Sequence, residues 1–393
     1  MKIIYVTTEL STGTGGGERM LYNILSKINL SRFSPVVVSL MDRGIWGDSI
    51  EALGIPVHTL GMKAGQPTLE ATWQLIRTVR QHNPDLIQGW MYHGNFAAQL
   101  AGAFLFKKTP ILWNIQCSLD SLTQLDNKMT ATIVKSCAYL SRLTSKIVFV
   151  SQTSKVQHEA LGYCQKKSYV IPNSCDTSLF KPLLEAKSSV RSELGLSENT
   201  LLIGLMGRYH PMKDHTNFLQ AAAILLKEYS HTHFLLAGSG VNPENHTLQR
   251  LIEDLKIGDR IHLLGHRSDM PRLNAAVDIA TSCSAFGEGW PLVVGEAMSC
   301  GVPCVVTNVS DSASIVGNTG RVVPPQNSEA LAQAWKELID IGSKGREALG
   351  KSARARIIEY FSLDSVVDQY EALYESVLSQ NKLFEKFVVN LGR

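Results

Sequence analysis

The chain has 393 residues, 44% of them hydrophobic and 19% charged, a balance that suits two ordinary folded domains and excludes a disordered protein. A net charge of +3, with lysines and arginines scattered rather than clustered, speaks against nucleic acid as a partner. Seven cysteines without a C-x-x-C pair or histidine-rich ligand spacing indicate reduced thiols, with neither a disulfide framework nor a structural zinc site.

The first apolar run, 3–6, is too short for a signal peptide, and no later run approaches the ~18 apolar residues of a membrane span. The expectation is a cytoplasmic protein that at most touches a membrane surface. Run 3–6 opens into Gly13-Thr-Gly-Gly-Gly-Glu-Arg19, whose glycines, Gly16 and Gly17 among them, let a backbone approach a ligand closely. The spacing departs from G-x-G-x-x-G, because the last glycine position is held by Glu18, and there is no G-K-[ST] ending. Dinucleotide hydride transfer and P-loop NTP hydrolysis both lose their main support. A helix from about Glu18, a strand at 35–40, a helix at 46–53, a strand at 85–88, a helix at 95–106 and strands at 111–114 and 146–150 follow. This alternation predicts a parallel sheet covered by helices. Trp90-Met-Tyr-His-Gly94 comes directly after run 85–88 and puts His93 at the carboxyl edge of that sheet, where α/β folds bind ligands. A lone histidine there also suits an ordinary packed or surface residue.

Prolines and turn formers at 171–182 break the pattern, and a second alternating set begins with strands at 201–206, 233–237, 260–264, 279–282 and 303–307. The first of these runs into a loop carrying Gly207, Arg208 and Lys213; a guanidinium fork and an ammonium point charge at a strand end suit a diphosphate. His210 and His215 flank that loop and read as solvated loop histidines. Gly238 ends the strand 234–237, where it could line a base or a diphosphate. Farther on, Glu288 and Glu296 stand on either side of Gly289-Trp290-Pro291-Leu292, a turn that opens an apolar helix. Pro291 is expected at the first helical position, with the nearby amides facing an anion. If 288–296 were fully helical, the two carboxylates would sit about 12 Å apart along the axis, at about 1.5 Å per residue. That is about the reach from the sugar to the ribose of a nucleotide-diphosphate sugar, although paired glutamates on a helix also serve as plain surface charges. Gly317-Asn-Thr-Gly320 makes a structural turn, and a final helical tract runs from 363 to about 383.

Taken together, Gly207-Arg208 with Lys213 five residues on, the Glu288/Glu296 pair, the Gly15-Gly16-Gly17-Glu18 loop and the segment 316–324 resemble the retaining GT-B glycosyltransferases of the large bacterial lipopolysaccharide, exopolysaccharide and mannosyl transferase family. The resemblance covers nearly the whole chain. It implies an α/β fold of two Rossmann-like domains facing each other across a cleft: 1–180 for the acceptor, 181–362 for the nucleotide sugar, and 363–393 packing back on the first. It implies transfer of a sugar from a nucleotide-diphosphate donor, most commonly a UDP-sugar, to a hydroxyl of a glycan, lipid-linked or small-molecule acceptor. The anomeric configuration is expected to be retained, and no metal or other cofactor is expected. By the same resemblance Arg208, Lys213 and the amides of 289–292 stabilise the leaving diphosphate, Glu288 holds the sugar, Glu296 the ribose, and His93 faces the transferred sugar. The chain departs from the family pattern at Ser174-Cys175, Gln116-Cys117, Trp290 and Leu292. Lys107, Lys108, Lys128, Lys135, Arg142 and Lys146 among apolar helices would permit contact with anionic lipid head groups. Two further readings keep the fold: a non-catalytic nucleotide-sugar-binding scaffold, and a phosphorylase- or epimerase-type enzyme.

Overall fold

A computed structural model describes residues 1–11, 16–64, 66–120 and 128–391. Gly13 and Gly15 of the glycine loop, and the side chain of Lys128, lie outside the described residues. The chain forms two compact units, Met1–Asn173 with Leu363–Arg393, and Ser174–Ser362.

In the first unit the strands are β1 (Lys2–Thr7), β2 (Ser34–Ser39), β3 (Val57–Thr59), β4 (Leu86–Trp90), β5 (Ile111–Ile115), β6 (Lys146–Phe149) and β7 (Ser168–Val170). They make one parallel sheet in the order β3-β2-β1-β4-β5-β6-β7. Its helices are α1 (Gly16–Lys27), α2 (Gly44–Ala52), α3 (Leu69–His82), α4 (Met91–Ala103), α5 (Lys128–Leu140) and α6 (Gln152–Ala160). Ile3 and Tyr5 belong to one apolar cluster and Ile4 and Val6 to another. Consecutive side chains of β1 are therefore buried on opposite faces, which is why the strand is apolar without alternation.

The second unit holds β8 (Leu202–Met206), β9 (His233–Ala237), β10 (Ile261–Leu263), β11 (Ile279–Ser282), β12 (Cys304–Thr307) and β13 (Arg321–Val323), parallel in the order β10-β9-β8-β11-β12-β13. Its helices are α7 (Ala186–Glu193), α8 (His215–Leu225), α9 (His246–Leu255), α10 (Met270–Ala276), α11 (Leu292–Ser299), α12 (Ser312–Val316), α13 (Ser328–Asp340) and α14 (Gly342–Tyr360). Trp335 of α13 is fully buried, edge-on to Phe218 of α8 at 5.1 Å, and its Nε1 donates to Thr281 Oγ1 at 2.9 Å. The long α15 (Leu363–Leu391) belongs to the first unit, where Asn114 Nδ2 donates to Tyr370 OH at 2.6 Å and Tyr374 OH donates to the buried Gln88 Oε1 at 2.5 Å.

The sequence reading divides the chain near 180, whereas the units meet at Asn173/Ser174. The segment 174–180 is fastened to the second unit: Cys175 N donates to Phe361 O at 2.9 Å and Arg354 Nη1 to Phe180 O at 3.2 Å. Strands β3 and β7, each three residues long, and helix α3 were not marked by the periodicity. The helix expected at 95–106 starts at Met91, with Met91 itself in the left-handed region (φ 61).

Candidate active site

In each sheet the strand order reverses beside one strand, and ligands of open α/β sheets bind outside the carboxyl ends at such a switch point. In the second unit the switch lies between β8 and β11. The segment after β8 carries Gly207, Arg208 and Lys213, and the segment after β11 carries Ser284 and Glu288. The two segments are laced together, with Ala285 N donating to Met212 O at 2.8 Å and Cys283 Sγ to Lys213 O at 3.3 Å. Lys213 Nζ thereby meets Glu288 Oε1 at 2.6 Å, and Ser284 Oγ donates to the same oxygen at 2.5 Å.

This carboxylate is only 6% exposed. Burial pushes its pKa up, and the Lys213 ammonium, the Ser284 hydroxyl and the charge of Arg208 more than offset that, holding it below the usual glutamate value of 4.5. Glu288 is therefore an acceptor at neutral pH and Lys213 a fixed cation, while Arg208 is exposed to solvent. Asp214, at φ 49, accepts from Asn217 N at 3.1 Å and so caps α8 immediately after the lysine.

Several expected placements are corrected. The residues 288–291 are not helical: α11 begins at Leu292, one position later than expected, with Pro291 as its cap residue. The turn is held from outside, since Gly287 has φ 78 and Ser310 Oγ donates to Gly289 O at 2.9 Å. The axial separation of about 12 Å for a fully helical 288–296 therefore does not apply. Leu292 still opens a helix, whose first amides have no carbonyl partner within the helix and carry its positive dipole end, and no side chain caps them. Trp290 is 5% exposed, with its ring 5.7 Å from that of Phe361 and close above Gly295, so its side chain is a packing element. Glu296 is a buried residue of α11. Gly238 has a backbone reason to be glycine, because a Cβ there would come within 2.1 Å of Gly207 O. His215 is not a solvated loop histidine: it is 3% exposed, its ring lies 5.4 Å from that of Tyr209, and burial together with the Lys213 charge lowers its pKa to about 4.

The first unit has its own switch point, between β1 and β4, whose last residues Thr7 and Trp90 are in register. Gly16 and Gly17 open α1 after β1, and His93 lies in the first turn of α4 after β4. Trp90 Nε1 donates to Gly17 O at 2.9 Å, tying the two segments. A Cβ on Gly94 would meet Val6 O at 2.3 Å, so that glycine lets α4 start directly against β1 and fixes the height of His93. Burial lowers the pKa of His93, which keeps it a neutral hydrogen-bonding group at pH 7. Ser284 and Ser310 were missed by the sequence reading; a serine after a strand is too common to stand out, and Ser284 becomes visible only through its spacing to Glu288.

Among the described residues no group of three or more His, Cys, Asp or Glu side chains is placed to hold a metal ion. None of the seven cysteines, all among the described residues, is joined in a disulfide. No described helix is long and apolar enough to cross a membrane.

The chain matches the family model for glycosyl transferases group 1 over residues 187–356 and that for glycosyltransferase family 4 over residues 14–179. It is 26% identical over 287 residues, 72% of this chain and 71% of the relative, to an Escherichia coli UDP-Gal:alpha-D-GlcNAc-diphosphoundecaprenol alpha-1,3-galactosyltransferase. It is 30% identical over 197 residues, half of each chain, to the N-acetyl-alpha-D-glucosaminyl L-malate synthase of Bacillus anthracis. In fold it is similar to the crystal structure of Anabaena HepE in complex with UDP, at 23% identity and a TM-score of 0.83 over 96% of this chain and 100% of that one. With two Rossmann-like units whose switch-point segments carry the matched motifs, the chain belongs to the group 1 glycosyltransferases of GT-B fold.

Proposed function

We propose that the protein transfers a sugar from a nucleotide-diphosphate donor, UDP-sugar in the first instance, to an acceptor hydroxyl with retention at the anomeric carbon and without a metal ion. The observation that carries this reading is the Lys213–Glu288 contact of 2.6 Å at the switch point of the second unit, beside Arg208. Breaking the bond from the anomeric carbon to the diphosphate leaves positive charge on the sugar and negative charge on the phosphate. Arg208, Lys213 and the first amides of α11 supply the positive charge and donors that stabilise the leaving group, each such donor worth about 2.7–4 kcal/mol. Glu288 accepts from sugar hydroxyls, Glu296 from the ribose, and His93 orients the sugar as a neutral donor or acceptor. The acceptor oxygen bonds to the anomeric carbon on the face the phosphate leaves, and its proton passes to the departing phosphate oxygen, so no separate base is assigned.

UDP as the nucleotide moiety is favoured by similar proteins: HepE has been crystallised with UDP and with UDP-glucose, and the E. coli relative uses UDP-Gal. The latter's diphosphoundecaprenol-linked acceptor makes a lipid-linked acceptor the first class to screen. In a donor hydrolysis and transfer assay run in EDTA, Arg208→Ala should lower turnover about 10²–10³-fold with unchanged thermal stability, and the product should keep the donor's anomeric configuration by NMR. Near-normal turnover of the variant would remove the diphosphate role. UDP binding without turnover across an acceptor panel would favour a non-catalytic scaffold.

A further inference from the structure

We propose that the amino edge of the first unit's sheet is a docking surface for an anionic lipid bilayer. Between α4 and β5 the chain turns through Phe104 and Phe106, which are 48% and 96% exposed. Arg80, near the end of α3, donates to Phe104 O from Nε at 2.9 Å and lays its guanidinium 4.8 Å from the centre of the Phe106 ring. Two exposed stripes converge on this tip. On α3, Leu69, Trp73, Arg77 and Arg80 follow one another at helical spacing; Leu69 is 90% and Trp73 63% exposed, and Arg77 sits 5.5 Å over the indole. On the other side Leu143, 66% exposed, lines the same groove of about 390 Å³ as Phe106, Lys107 and Lys108.

Large apolar side chains standing this far into water over a continuous surface mark a contact site. The charges around them choose the occupant. Arg77, Arg80, Lys107, Lys108 and Arg142 surround the apolar tips, Asp85 is already paired with Lys107 at 3.1 Å, and Glu70, three residues before Trp73, stands on the same face at the end of α3 away from the tip. Protruding aromatic tips ringed by long basic side chains match the boundary between acidic head groups and acyl chains: the rings enter it and the cations meet phosphates. Helix α4, 13 residues long, separates this edge from the turn carrying His93 by about 18 Å at about 1.5 Å per residue.

Co-sedimentation of the full chain with vesicles of equal parts phosphatidylglycerol and phosphatidylcholine, against pure phosphatidylcholine, tests the proposal. Wild type should pellet with the acidic vesicles only and be released by salt. The double variant F106E/L143E, whose sites are exposed and whose UDP-induced thermal shift should equal that of wild type, should lose about tenfold or more in binding. Wild type staying in the supernatant with both vesicles, or the variant pelleting equally, would overturn the proposal. So would a dimer, seen by light scattering, that the variant dissolves, for then the patch is a self-association face. Loss of the UDP shift in wild type would sink the donor reading instead and leave this one standing.

Discussion

The carboxyl edges of the two sheets share one topology and carry different chemistry. At the edge of the second unit, Arg208, Lys213 and Glu288 bring full charges to the switch point, with the lysine and the glutamate bonded to each other. At the edge of the first unit His93, with a lowered pKa, and the Trp90 indole are neutral, while the segment after β1 brings Glu9, Glu18 and Arg19 around the glycines that Trp90 holds. The difference teaches that the Rossmann-like frame supplies a place and the residues after two strands supply the function. On the proposed reading the Lys213–Glu288 pair and Arg208 serve the diphosphate end of the donor, and the neutral His93 orients the sugar.

Lys213→Ala should break that contrast most severely. It leaves the buried Glu288 without its cation, which costs about 3–5 kcal/mol of stability, and it should lower both UDP affinity and turnover, read by calorimetry and by the transfer assay. Retention of wild-type stability and UDP affinity would show that the pair is incidental. The expected loss of stability also separates Lys213 from the exposed Arg208, whose replacement should cost turnover without costing stability.

The second effect is on pH. His215 is held neutral, with a pKa of about 4 against 6.5 when unfolded, so the unfolded chain binds more protons between those values. Its contribution is complete above pH 6.5 and is lost as pH falls toward 4; a shift of that size corresponds to about 3 kcal/mol. Glu288, depressed below 4.5, adds a loss of the same sign at lower pH. His215→Gln should flatten the thermal-stability profile between pH 6.5 and 4, and an unchanged slope would assign the acid sensitivity elsewhere.

Smaller still, Ser284→Ala removes one hydrogen bond to a carboxylate, about 1.5–3 kcal/mol, and should raise the acid limit of UDP-sugar turnover by freeing Glu288 to protonate more easily. A pH–rate profile identical to wild type would leave Ser284 as packing. The smallest effect is expected in the first unit: His93→Ala should reduce kcat about tenfold, the worth of one neutral hydrogen bond of ~1.4 kcal/mol, with UDP binding untouched. Weakened UDP binding in that variant would contradict the division of labour.

Much of this was legible in the sequence. The apolar runs at 3–6, 201–206 and 279–282 identify strands because they are buried on both faces, and Arg208, Lys213 and Glu288 could be grouped because each follows such a run. What was not legible depends on distant partners. The start of α11 at Leu292 is set in a segment that Ser310 grips from beyond β12. The burial of Trp290 depends on Phe361, and the attachment of 174–180 to the second unit depends on Phe361 and Arg354. Local propensity carries no information on contacts of such separation. The three-residue β3 and β7 escaped for a different reason, being too short to show a period.

Both partners of Glu288, Lys213 and Ser284, bond the same oxygen, Oε1. Among the described residues no hydrogen bond is made to Oε2, and a carboxylate can only accept. Whatever reaches that oxygen must bring its own proton. A deoxy or fluoro analogue at the matching ring position would leave the lone pairs facing a group with nothing to offer, so discrimination between epimers and between natural and modified donors should be written into a single atom.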